Sequence, residues 1–131
     1  MKVLERVPKV YIGSDSGPRG PAIRRVIRRA IRPLEKAGRI AVFGADGRST
    51  RWGDEPALVA LILDPSAEAE VLAAAFEAGA QEAVLHDPGD GRGILIARDG
   101  GRVEVGRARY GEARPEGHTV IPALGVTVSY A

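Results

Sequence analysis

Apolar positions first gather at Val10-Tyr11-Ile12, a short run that stops at the turn-forming cluster Gly13-Ser14-Asp15-Ser16-Gly17-Pro18 and predicts a strand leading into a helix. The period then changes. Ile23, Val26, Ile27, Ala30, Ile31 and Leu34 recur at helical spacing, which predicts a helix over 21–37. Pro21 suits its first turn and Gly38 its C-terminal cap, and the apolar stripe is expected to face the core. Residues 39–43 read as a second strand ending at Gly44-Ala45-Asp46-Gly47, with a polar loop over 48–56. Residues 57–63 are nearly all apolar, as in a strand buried on both faces and central in its sheet. Asp64-Pro65-Ser66 offers an N-cap followed by proline at the first helical position, for a second helix carrying Val71, Leu72, Ala75 and Phe76 and closing at Gly79. A short strand over 82–86 follows, and the two strand-helix units predict at least some parallel pairing.

The pattern changes character after that. Ile94-Leu95-Ile96-Ala97 and Arg102-Val103-Glu104-Val105 flank Asp99-Gly100-Gly101, a hairpin signal. Beyond it Val103 and Val105 share one parity and Ala108 and Tyr110 the other, so a bulge is expected at Gly106. Thr119-Val120-Ile121, broken by Pro122, and Val126-Thr127-Val128-Ser129-Tyr130 read as edge strands. The expected fold is α+β: one domain over 1–131, α/β-like in its first two thirds, with a mixed sheet of about six to eight strands, two main helices and an antiparallel C-terminal part.

Composition narrows the chemistry. A chain of 131 residues has the size of one domain, and 44% hydrophobic with 27% charged residues excludes a disordered tail or a disulfide-built miniprotein. With no cysteine there is no disulfide, thiol nucleophile or Cys-ligated metal. No apolar stretch approaches the ~20 residues of a membrane span, and a cytoplasmic, membrane-free setting is expected. No Asn, a single Gln, a single Met and 16 Arg against 3 Lys fit a heat-adapted protein. The net charge of +2 hides a split: residues 1–52 hold 13 basic and 4 acidic residues, hence +9, and residues 53–131 hold 6 and 13, hence −7.

Much of that positive charge lies on the first helix, where Arg24, Arg25, Arg28, Arg29, Arg32 and Lys36 stand opposite the apolar stripe. Arg24, Arg28, Arg32 and Lys36 form an i, i+4 ladder of like charge, which costs roughly 0.2–0.5 kcal/mol per pair unless an anion lies alongside. The expectation is an anion-binding, non-catalytic domain whose partner is nucleic acid or another polyanion, or the acidic face of its own homo-oligomer. No nucleic-acid-binding motif accompanies the ladder.

The loop Gly13-Ser14-Asp15-Ser16 is a second candidate, since small residues ahead of a helix N-terminus can bind phosphate. Over four or five residues it is similar to a Gly-Ser-x-Ser-Asp stretch of the phosphoribosylaminoimidazole mutase/carboxylase family and to the Gly-Ser-Asp-His opening of B-type ribose-5-phosphate isomerases. Gly17 stands where the first has Asp and Ser16 where the second has His, so neither function is carried over. The alternative function is a small enzyme acting on a phosphorylated metabolite through this loop. His86 or a strand-end Asp would be its base, and Ser14, Asp46 and His86 would share a pocket. If the first four strands are parallel, Asp15, Asp46, Asp64, His86 and Asp87 all follow strand C-termini. Each carboxylate also has a plain reading: Asp64 as N-cap, Asp46 and Asp87 as turn residues. His118 reads as an exposed loop residue, and Trp52, flanked by Arg48 and Arg51, as a loop plug or a stacking platform. No cofactor and no metal is assigned.

Overall fold

The computed structural model describes residues 2–14, 17–50 and 53–131. Its apolar segments pair into eight strands: β1 (Lys9–Ile12), β2 (Ile40–Ser49), β3 (Gly53–Ile62), β4 (Ala83–Asp87), β5 (Arg92–Ala97), β6 (Arg102–Tyr110), β7 (His118–Ile121) and β8 (Val126–Tyr130). Helix α1 (Lys2–Arg6) precedes them, α2 (Gly20–Lys36) joins β1 to β2, and α3 (Glu68–Glu77) joins β3 to β4. The strands run in the order β1-β3-β2-β7-β8-β6-β5-β4, and β4 pairs back onto β1, which closes a barrel. Every ladder is antiparallel.

This overturns the expected α+β mixed sheet. The crossover helices do deliver strands of the same direction, since β1 and β2 both run opposite to β3, and β3 and β4 both run opposite to β1. A third strand fits between each such pair, so no parallel ladder forms. The apolar run in β3 truly reports burial on two faces, but a barrel supplies both faces without parallel neighbours. Ala57, Val59 and Leu61 point into the barrel with Tyr11, Ala45, Ile121, Val126 and Val128. Leu58, Ala60 and Ile62 point outward beneath α2 and α3, with Val10, Ile12, Ile40 and Val42. Periodicity of two is the same for either strand direction, so the pattern carried no vote on it.

Closure also overrides two local signals. Gly44-Ala45-Asp46-Gly47 does not end β2, because Asp46 pairs with Pro56 on one side and Val120 on the other. Residues 48–49 and 53–56 of the expected polar loop accordingly become the far end of a β2-β3 ribbon. β7 and β8, expected at edges, pair with β2, β6 and each other. The bulge does form at Gly106: Gly93 faces Gly106 while Ile94 faces Glu104, which leaves Val105 over. Asp64 caps the turn Pro65–Ala67 that leads into α3, accepting from the Ser66 amide at 3.1 Å.

Helix α2 ends as expected, with Gly38 left-handed at φ +71° and the Arg39 amide bonded to the Leu34 carbonyl. Its buried stripe is narrower than the apolar pattern suggests. Ile27, Ile31 and Leu34 are buried, whereas Val26 is 45% exposed and Ala30 lies in solvent. No helix of the described residues is long and apolar enough to cross a membrane.

Candidate functional site

On the outer face of α2, Arg25, Arg28, Arg29, Arg32 and Lys36 are exposed and Arg24 is half-exposed. Arg28 meets Glu35 at 3.9 Å. Among the described residues no carboxylate pairs with Arg24, Arg25, Arg29 or Arg32. Three arginines elsewhere are paired: Arg39 with Asp64 at 3.0 Å and Glu70 at 2.8 Å, Arg92 with Asp90 at 2.6 Å, Arg114 with Glu112 at 3.0 Å. These contacts hold the Asp64 and Asp90 carboxyls below the usual carboxylate range, chiefly through hydrogen bonds from Ser66 and from Arg92. Two acidic residues of α3 are turned to other partners, Glu70 to Arg39 and Glu68 to His86. The two halves of the charge split thus meet at Arg39, and on α2 four arginines are left without an ion pair among the described residues.

The 13–17 loop is not arranged to receive an anion at the part the structure describes. The Ser14 amide already donates to Glu55 Oε1 at 2.9 Å, and the Ser14 hydroxyl donates to the Pro56 carbonyl. A carboxylate thus holds the N–H that a phosphate would need, and repels a second negative charge. Asp15 and Ser16 lie outside the described residues, as do Arg51 and Trp52 of the expected stacking platform.

Nor does the barrel gather the strand-end residues. Asp46 sits inside β2, opposite Pro56, near the end of the barrel that holds Ser14. His86 pairs with Val10 toward the other end, where its imidazole lies against Glu68 on the outer wall, under α3. Burial holds its pKa below the ordinary histidine value, against the pull of Glu68. His118 donates from Nδ1 to the Arg114 carbonyl at 3.0 Å, which leaves Nε2 as its acceptor.

A polar cluster that the sequence reading missed fills one end of the barrel interior. Lys9 and Asp87 face each other across β1 and β4, 3.7 Å apart and 1% and 0% exposed. Asp87 also accepts from the Gly89 amide at 2.8 Å, the Gly91 amide at 3.2 Å and the Tyr130 hydroxyl at 2.7 Å. The Tyr130 oxygen in turn lies 3.0 Å from the Tyr11 hydroxyl, with the two rings edge to face. Asp87 thus keeps the turn role expected of it and acquires a buried one. Burial lowers the Lys9 pKa although Asp87 opposes the shift, and burial raises those of Tyr11 and Tyr130 and pushes Tyr110 up to about 12. The signal was present in the parity of Lys9-Val10-Tyr11-Ile12, which puts Lys9 and Tyr11 on one strand face. Leu4 of α1 packs on the same interior, closing this end.

Among the described residues the opposite end is open. A cavity of about 400 Å³ is walled by Leu85, Leu95, Val105 and Tyr130 on one side and rimmed by Arg48, Glu55, His118 and Thr119 on the other. No protein-family model matches the chain, and no curated protein matches it, so its functional reading rests on its own residues.

Proposed function

We propose that the protein is a non-catalytic, cytoplasmic binding domain whose α2 face engages the phosphate backbone of a nucleic acid. The observation that carries this reading is the gathering on one helix of four arginines, Arg24, Arg25, Arg29 and Arg32, that have no ion pair among the described residues, while Arg28, Arg39, Arg92 and Arg114 find carboxylates. Twelve residues separate Arg24 from Lys36, a span of about 18 Å along the helix. A duplex presents one phosphate charge per roughly 1.7 Å of its axis, so such a ladder meets several phosphates at once. Arginine forks suit them bidentately, while contacts to phosphate fix position without reading sequence.

The test is fluorescence anisotropy of a short labelled duplex over a salt series, with size-exclusion mass measured in the same buffers. With about four to six phosphates neutralised, the logarithm of affinity falls against the logarithm of salt with a slope of roughly −4 to −5. Arg25→Ala/Arg29→Ala/Arg32→Ala flattens that slope by about 3. Absence of binding at low salt overturns the reading. If an oligomer also falls apart as salt rises, the counter-charge is instead the acidic face of a second copy.

A further inference from the structure

We infer that the open end of the barrel is a binding site for one small, uncharged, mainly apolar molecule that carries an N–H or O–H donor. An eight-stranded barrel is just wide enough either to be filled by its own side chains or to hold one small ligand. This barrel does both. At the Lys9 end its interior is filled by Leu4, Tyr11, Val59 and the buried ion pair, and at the Ser49 end the described residues leave it unfilled. The space of about 400 Å³ falls within the range of about 300–1,000 Å³ typical of small-molecule sites. A second hollow of about 240 Å³, lined by Tyr11, Ala57 and Gln81, shares Gly47, Glu55, Leu85 and Thr119 with it, so the open volume continues inward to the Tyr11 ring.

The lining selects the chemistry. Leu85 and Leu95 face each other across β4 and β5, and Leu95 and Val105 remain 40% and 44% exposed at the lip. Large apolar side chains left in water on the wall of a concavity favour an apolar occupant. The rim carries both signs, Arg48 against Glu55 and Glu116, which favours no net charge on that occupant. Glu55, on the inward-facing parity of β3 with Ala57 and Val59, already holds the Ser14 amide, so the acceptor at the edge is His118 Nε2. An aromatic amine or alcohol satisfies this set. A carboxylate brings only acceptors to His118 Nε2.

Gly47 provides the blocking variant. It lines both hollows, its φ is not positive, and a Cβ there meets its nearest neighbours in the Glu55 backbone and side chain at 3.7 and 3.9 Å, ordinary contact distances. Gly47→Leu therefore fills the cavity from its wall without backbone strain. The probe is N-phenyl-1-naphthylamine, an uncharged aromatic amine whose emission rises and shifts to the blue in apolar surroundings. Wild-type protein is expected to bind one probe per chain with micromolar affinity. Gly47→Leu weakens it at least tenfold, and Leu95→Lys, a change at the exposed lip that leaves the closed end untouched, weakens it several-fold. Arg25→Ala/Arg29→Ala leaves it unchanged, which separates this site from the α2 face. The inference is overturned if the emission does not saturate, or if probe affinity survives Leu95→Lys and, where Gly47→Leu still melts cooperatively, that substitution too.

Discussion

Five cations of α2 stand in solvent and a sixth, Arg24, is half-exposed, with a single acidic contact at 3.9 Å among the described residues, while Lys9 and Asp87, at nearly the same separation, are 1% and 0% exposed. The two regions resolve their charge by different physics. At the surface, water screens each arginine, so leaving it unpaired costs tenths of a kcal/mol and an external anion can still be taken up. Inside the barrel an unpaired charge costs several kcal/mol, so Lys9 is tolerated only because Asp87 faces it, and Asp87 only because two amides and a phenol share its charge. Free charge in the first region is a resource for binding, and paired charge in the second is a constraint of folding.

The comparison breaks most sharply at Asp87. Asp87→Ala leaves the Lys9 ammonium buried without a counter-ion and is expected to cost about 3–5 kcal/mol in denaturant unfolding. Lys9→Met costs less, because Asp87 keeps Gly89, Gly91 and Tyr130 as donors. Equal costs, or a neutral Asp87→Ala, are incompatible with a dry, closed end of the barrel.

Alkaline titration is the next largest effect. All three tyrosines of the chain, Tyr11, Tyr110 and Tyr130, have raised pKa values through burial. A raised folded pKa gives stability that is complete below the unfolded value of 10 and is lost as pH climbs through the folded values. Lys9, lowered by burial, has the opposite sign between its folded value and 10.5, but one ammonium stands against three phenols. Native protein is therefore expected to show almost no phenolate absorbance at pH 10. Tyr110 ionises first, near pH 12, and unfolding becomes easier above pH 10. A normal three-tyrosine titration at pH 10 in folded protein excludes the buried cluster.

The smallest effect sharpens the other side. Arg32→Gln removes the like-charge pairs with Arg28 and Lys36 and should raise unfolding stability by about 0.2–0.5 kcal/mol per pair. Added salt should mimic the change in wild type and abolish the difference between the two proteins. If Arg32→Gln destabilises instead, an anion already lies along the helix and the arginines are not free.

Much of the local structure followed from residue pattern alone. α2 and its left-handed end at Gly38, the Asp64 cap ahead of α3, the 99–101 turn and the bulge at Gly106 all depend on side chains within a few positions of one another. So does the basic ladder of α2, since spacing of four fixes one helix face wherever the helix packs. Strand direction, closure and site assembly depend on partners 30 to 120 positions away, such as Tyr11 with Tyr130 and Lys9 with Asp87. A strand's alternation says how many of its faces are buried and is silent about whether helices, a second sheet or a barrel interior does the burying. That is why residues 57–63 were legible as a doubly buried strand but not as a barrel stave, and why Ser14, Asp46 and His86 could be imagined together. Tertiary structure decided which charges meet: it left the arginines of α2 in water, where the sequence had already put them. It also enclosed Lys9, ordinary in the sequence, in the one setting where desolvation makes its partner obligatory.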